Sequence, residues 1–458
     1  MTRNLICLSL LIALPVLAQD QGKQTARSGP ARLPVEQTLI SPTLFNEPLE
    51  SIREAYVVEL TEAQKKRLER SRERMAKEGV ELPPFEPGIF QWLSGAKDGL
   101  RAAPGNLSMF GESIGEVVIR AGVPGKAGSA TISIYNRGDD GEITLSELAN
   151  RMEAWKGHIS GALKSKPESR DQRGTLSLTG WMWRQNGAAW LLESSSSKTG
   201  NISRAEFLRI RIAPLDGGSG GQVARRSGLT QHVVKKDNGD VYLEGIPMVD
   251  QGEKGYCAVA TTERVVRYYG LDVDQHEMAS IANTGTMGTS MEEMEEALKR
   301  ATGKLSVKTT KQFELEFRQF QQDVRTYNQI AKRQGEKEFI YERKVAIVSP
   351  LSFWAQVKPE IFLKMKTEQT GFERFNAKIA ENIDQGIPVC WALQLGMFKE
   401  TGIPQTRGGH MRLIIGYNKK TGELLYSDSW GKGHELKRMP SGHAWCMTMA
   451  LFTMVPTR

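Results

Sequence analysis

The spacing of apolar residues changes several times along the chain, and each change marks an expected element. Residues 19–60 are rich in Pro, Gln and Thr with little periodicity, so an extended leader is expected there. Thr61 to Lys77 carries both charges around most of its circumference and reads as an exposed helix, stopped by Gly79 and Pro83-Pro84. From 86 to 215 short apolar runs mix with helical spacing. Val117 to Arg120 and Thr131 to Tyr135 flank a Gly/Pro turn, as in a hairpin. Leu145 to His158 has helical spacing. Ala188 to Leu192 and Phe207 to Ile212 form a second strand pair around Lys198-Thr199-Gly200-Asn201. Asp216 to Gly228 (DGGSGGQVARRSG) is the clearest linker, and Arg225-Arg226 lies where a protease would find accessible backbone.

Beyond residue 232 the pattern sharpens. Val233 to Leu243 reads as a hairpin about Asp237-Asn238-Gly239. Asp250 to Gly270 is a glycine-rich approach, a cysteine and then a helix with Val259, Val265, Val266 and Tyr269 on its apolar side. Ser290 and Glu293 make a capping box ahead of a helix presenting Met291, Met294 and Leu298. Phe313, Phe317, Phe320, Val324, Tyr327 and Ala331 form one stripe of a long helix, within a helical insertion from about 305 to 345. Ala377 to Gln385 ends a helix. Pro388 to Leu395 (PVCWALQL) is a buried strand, and Met411 to Tyr417 and Glu423 to Ser429 close the domain.

With 458 residues, two or three domains are expected. The composition, 39% hydrophobic and 25% charged, is that of a soluble globular protein. The net charge of +8 comes from basic residues mixed with acidic ones, which argues for solvated faces and against a nucleic-acid groove. Arg3, the apolar run Leu5 to Leu14 and Val16-Leu17-Ala18 make a signal peptide cut after Ala18, and no later segment is apolar enough to span a membrane. The expected location is therefore secreted or periplasmic.

Cys7 leaves with that peptide, and Cys257, Cys390 and Cys446 remain. An odd count in an oxidising compartment leaves a thiol unpaired. Cys390 and Cys446 are either a disulfide or two buried thiols. No CxxC or HExxH pattern occurs, so no metal or cofactor is expected. Asn136 to Glu147 (NRGDDGEITLSE) has the frame of a calcium-binding EF-hand loop. The β-branched run Thr131 to Tyr135 stands where that loop needs an entering helix, so a strand–turn–helix loop without calcium is expected.

Cys257 lies where loop becomes helix, and the unpaired N–H groups of a helix start favour thiolate. Gln251, across a loop with Gly252 and Gly255, can supply a side-chain donor that joins the Cys257 N–H in an oxyanion hole. His410 begins a strand after Gly408-Gly409, and Asp428 ends the next one. A hairpin folded near residue 420 sets the two within about two residues of register, as a base and its orienting acid. His434 is the second choice for the base.

Gln251, Cys257, Gly409-His410 and Asp428-Ser429-Trp430-Gly431 together resemble the papain-like cysteine peptidases, in particular their bacterial C39-like branch. That pattern covers roughly 232 to 455. Asp428 stands where papain itself has Asn, as in the double-glycine peptidases. Ala258 departs from those enzymes, which commonly carry Gly after the nucleophile. The whole chain is expected to be α+β in five parts, of which the resemblance bears only on the last. Residues 1–18 are the signal peptide, 19–85 a leader with an exposed helix, and 86–215 an N-terminal α+β domain. Residues 216–231 are the linker, and 232–456 a papain-like domain whose nucleophile helix packs on an antiparallel sheet. The resemblance also implies that Trp430 covers the His410–Asp428 pair, with Ser429 and Gly409 as supporting residues.

The expected function is exported peptide-bond hydrolysis of a peptide or protein substrate. Transglutaminase-like acyl transfer and non-catalytic peptide binding on the same scaffold are the competing readings. Residues 19–215 are either an inhibitory pro-segment or a permanent accessory domain. Nucleic-acid partners are not expected, and oligomeric state is not encoded in any pattern.

Overall fold

The structure, a computed structural model, describes residues 32–457 apart from 59, 78–86, 174–176, 200–201, 216–223, 253–254, 272, 274, 276–295, 297–298, 300–306, 341–349, 401–402 and 404–406. The expected signal peptide and the capping box of Ser290 and Glu293, with Met291, Met294 and Leu298, lie outside the described residues. Among the described residues no helix is long and apolar enough to cross a membrane.

The fold is α+β and falls around two large sheets, with a small three-stranded sheet beside the first. The N-terminal sheet is antiparallel. Its path runs from Phe90–Trp92 through Gly99–Ala102, Val117–Ala121 and Ala127–Asn136 to Ile202–Pro214, Ala188–Thr199 and Ser177–Gln185. The Leu145–Leu163 helix buries Leu148, Met152, Trp155, Ile159 and Leu163, a stripe at helical spacing, in the core built on this sheet. Thr144 caps it, accepting a hydrogen bond from the Glu147 N–H at 3.1 Å.

The expected extended leader is corrected here. Glu36–Ile40 and Leu49–Ala55 are helices, and Leu39, Leu44, Leu49 and Ile52 are buried in the same core. Their apolar residues are too sparse to show a period, and tertiary burial orders them instead. The EF-hand-like loop is entered by a strand. Asn136 caps the short Arg137–Asp140 helix by accepting from the Asp139 N–H at 2.9 Å, and Asp140 accepts from the Asn136 N–H at 2.8 Å. These side chains serve the local turn.

The linker is also shorter than expected. Arg226–His232 is a 3₁₀ helix, and the Ala224 N–H donates to the Tyr269 carbonyl at 2.9 Å. Leu229 is buried against Gly386, where a Cβ would lie 2.2 Å from the Leu229 oxygen. Leu229 is ordered by its burial in the core that also holds the Cys257–Tyr268 helix.

The C-terminal sheet is antiparallel, with the path Val233–Lys235, Asp240–Leu243, Gly408–Asn418, Val389–Leu395, Thr448–Pro456 and Val307–Glu314. Glu423–Ser427 pairs with Gly408–Asn418. Both faces of the central Val389–Leu395 strand are buried, which explains its unbroken apolar run. Val389, Trp391, Leu393 and Leu395 face a core shared with the helices Phe317–Arg333, Pro359–Thr367 and Thr370–Asp384. Cys390 and Ala392 face the opposite core, which holds the Cys257–Tyr268 helix. Cys446 belongs to the first core and Cys390 to the second, so the sheet separates them. Both are free buried thiols, pushed up to about 12 by burial.

The expected helical stripe is only partly helical. Phe320, Val324, Tyr327 and Ala331 are buried on one helix face, but Phe313 lies in the Val307–Glu314 strand and Phe317 is exposed. The start of the expected insertion thus completes the sheet. The Cys257 helix is buried around most of its surface, including Thr261, Thr262, Glu263 and Arg264. The sheet lies on one side of it, and Arg120 of the N-terminal domain reaches Glu263 at 3.1 Å on another.

Candidate active site

Cys257 is the first residue of its helix and is partly exposed. Thr261, one turn on, donates to the Met411 carbonyl at 3.4 Å, which seats the helix on the His410 strand. The Cys257 sulfur lies near enough to the His410 ring and the Met411 backbone for both to lower its pKa. The other side of that ring is fixed, because His410 Nε2 lies 2.7 Å from Asp428 Oδ1. Nδ1 is then the nitrogen left for the sulfur.

Strand register explains the second contact. Leu413 pairs with Ser427 and Ile414 with Tyr426. Continuing this register sets Asp428 opposite Arg412, with His410 two residues further along the same face. Arg412 Nε donates to Asp428 Oδ2 at 2.7 Å, and Arg412 Nη1 donates to Glu400 Oε2 at 2.8 Å. Tyr426 donates to the same Glu400 oxygen at 2.5 Å. The Ser429 N–H adds a third donor to Asp428, on Oδ1 at 2.8 Å.

The electrostatics follow from these contacts. Burial opposes charge on Asp428, but His410 and Arg412 outweigh it and hold the carboxyl well below the usual range. Burial would lower His410 as well. The Asp428 charge and hydrogen bond, with help from Cys257, raise it to about 9. Burial pushes the Cys257 thiol up, and the His410 hydrogen bond and charge then bring it below its ordinary value. The two directions agree on a thiolate beside an imidazolium.

Gln251 is buried and tied twice to Ser429. Its N–H donates to the Ser429 carbonyl at 2.9 Å, and its Oε1 accepts from the Ser429 hydroxyl at 2.7 Å. With the amide oxygen so held, the NH₂ is the other end of the side chain. Trp430 stacks on His410, with ring centroids 4.8 Å apart and planes 29° apart. Gly409 is exposed, and a Cβ there would meet nothing within 4 Å, so the approach beside His410 stays open. His434 sits edge-on to Trp430 at 5.5 Å. Burial lowers its pKa, and its backbone oxygen accepts from the Asp428 N–H at 2.9 Å. The histidine that acts on the Cys257 thiol is therefore His410, not His434.

The sequence reading missed two buried arginines as site residues. Arg412 lies on the same strand face as His410, and the hairpin register was the signal for it. Arg264 lies two turns after Cys257 and donates to the Pro247 carbonyl at 3.0 Å, the Asp428 carbonyl at 3.1 Å and the Ser427 hydroxyl at 2.5 Å. It ties the Cys257 helix to the Asp428 turn, and burial lowers its pKa to about 10. Nothing in its spacing pointed there.

Residues 245–364 match the Peptidase C39 family and residues 359–448 match the Peptidase C39 like family. Among solved structures the chain is similar to the peptidase domain of Streptococcus ComA, described as a bi-functional ABC transporter involved in a quorum sensing pathway. That likeness has 11% identity and a TM-score of 0.24, and it covers 46% of this chain and 99% of that one. No curated protein matches. The two family matches overlap at residues 359–364 and together run from the cysteine helix through the histidine strand, so residues 245–448 are matched as a C39-like cysteine peptidase domain.

Proposed function

We propose that the chain hydrolyses peptide bonds through Cys257, His410 and Asp428, with Gln251 as a side-chain donor to the oxyanion. The Cys257 thiolate attacks the peptide carbonyl carbon, and the carbonyl π electrons move to oxygen. Gln251 and the Cys257 N–H stabilise that oxyanion. The oxyanion then collapses, the C–N bond breaks, and the His410 imidazolium gives its proton to the leaving amine. A thioester remains. His410, now neutral, takes a proton from water as the water oxygen attacks the thioester. The C–S bond breaks, the acid leaves, and the thiolate–imidazolium pair returns. Asp428 orients His410 and stabilises its charged form.

The observation that carries this reading is the 2.7 Å contact of His410 with Asp428, in a histidine that also lowers the pKa of the Cys257 thiol. The test is turnover of fluorescein-labelled casein by the wild type and Cys257→Ala. The variant should be inactive with an unchanged circular dichroism spectrum, and activity equal to the wild type would remove the thiol from the mechanism. We further propose export, supported by Arg3, the apolar run Leu5 to Leu14 and the small residue Ala18. Sequencing the N-terminus of the protein recovered from outside the cytoplasm should begin at Gln19.

A further inference from the structure

The N-terminal domain grips the two loops that flank the candidate site. Along Val117–Ala121, Val117 and Ile119 point into the domain's own core, while Val118 and Arg120 are only partly buried and lie on the other face. Arg101 pairs in register with Val118. That face meets the peptidase domain.

Arg101 is held by Glu116 and reaches Asp250 Oδ2 at 3.4 Å. Asp250 immediately precedes Gln251. Its other oxygen accepts from the Gly252 N–H at 2.9 Å, and its carboxylate lies over Gly431, where a Cβ would come within 2.8 Å of it. Gln275 donates to the Asp250 carbonyl at 3.1 Å and lies 3.5 Å from Glu116.

Four further contacts span the domains. Arg120 donates to the Met248 carbonyl at 3.3 Å and to Glu263 at 3.1 Å. Gly138 packs on Tyr256, the residue before Cys257, so closely that a Cβ would lie 2.0 Å from its hydroxyl. The Gly95 N–H donates to Glu435 at 2.5 Å, beyond Trp430 on the second loop.

We infer that the N-terminal domain is a clamp for the oxyanion loop, and that Arg101 is a positioning residue acting on Gln251 through Asp250. This inference rests on the oxyanion role proposed for Gln251. Arg101 and Asp250 are each 15% exposed, and a charge pair this enclosed is costly to break and poorly screened by salt. The domain thereby sets the position of a donor that the peptidase domain supplies. A removable pro-segment would have the opposite consequence, because releasing it would raise activity.

The experiment compares full-length wild type, Arg101→Met, Arg101→Lys, Asp250→Asn, the Arg101→Met/Asp250→Asn double variant and Gln251→Ala. Two rates are measured, turnover of labelled casein and alkylation of Cys257 by iodoacetamide, which needs no oxyanion hole. Arg101→Met and Asp250→Asn should each lower kcat about tenfold, the scale expected for a sub-ångström shift of a catalytic group, while alkylation stays within about twofold. The double variant should also lose about tenfold rather than about a hundredfold, because one contact is lost in all three. Arg101→Lys should keep most of the activity.

Unchanged or raised kcat in both single variants overturns the clamp. So do additive losses, or losses matched by slower alkylation. Asp250→Asn is nearly isosteric and serves if Arg101→Met fails to fold. If Gln251→Ala keeps full kcat, the oxyanion reading itself fails. If Gln251→Ala is impaired and Asp250→Asn is not, only the clamp fails.

Discussion

Replacing Asp428 by Asn separates this site from one that would accept either residue. Asp428 takes hydrogen bonds from the His410 ring, the Arg412 guanidinium and the Ser429 backbone. A carboxylate has two oxygens for these donors. An amide has one, and its NH₂ would meet either His410 or Arg412 donor to donor. The carboxylate also helps to raise His410 from 6.5 to about 9. At 1.36 kcal/mol per pH unit, that rise stabilises the imidazolium by about 3 kcal/mol, or about 300-fold in population.

Cys257 supplies part of this, so Asp428→Asn should lower kcat/KM for labelled casein by about 30- to 300-fold. The pH profile gives the sign. In the wild type the acid limb reports Cys257 ionising below its ordinary value, and the alkaline limb near 9 reports loss of the His410 proton. Removing the carboxylate destabilises the imidazolium, so the alkaline limb moves to lower pH. Alkylation of Cys257 at pH 6 should slow with it, because the thiolate loses its counter-charge. Adding Arg412→Gln supplies an amide that can accept from the new NH₂, and it should restore about tenfold of the loss. A variant with wild-type kcat/KM and an alkaline limb still near 9 refutes this account of Asp428.

The remaining predictions test the supports around the pair. Ser429→Ala releases the Gln251 amide oxygen from its 2.7 Å hydrogen bond, so steady-state kinetics should show kcat falling about tenfold with KM little changed. Arg264→Met removes two hydrogen bonds from the Cys257 helix to the Asp428 turn and a third to the Pro247 carbonyl, and urea unfolding should show a loss of about 3 kcal/mol; an unchanged midpoint would mean that the buried charge contributes nothing. Gly386→Ala forces a Cβ into the Leu229 carbonyl at a backbone φ of +77°, and it should cost about 2 kcal/mol or more in the same assay.

Much of the C-terminal half was legible in local pattern. Glycines before a cysteine and an amphipathic helix after it describe the Cys257 segment, because a helix start depends on nearby residues. The turn near residue 420 set the hairpin and placed His410 within about two residues of Asp428, and the bulge between Ile414 and Gly416, which counting does not show, puts the two on one face. The leader and the linker were less legible. Leu39, Leu49 and Leu229 are ordered by what they pack against, and their neighbours in sequence carry no record of it.

The sequence by itself determined the residue types, their order and the short-range geometry that each turn and helix start requires. These follow from steric and hydrogen-bonding rules that act within a few residues. Only the tertiary structure decided which charges meet. Arg412 and Arg264 converge on Asp428, Arg101 reaches Asp250 across a domain boundary, and the sheet keeps Cys390 from Cys446. A charged side chain on a strand face has the same local signature whether water or another domain covers it, and only packing chooses between them.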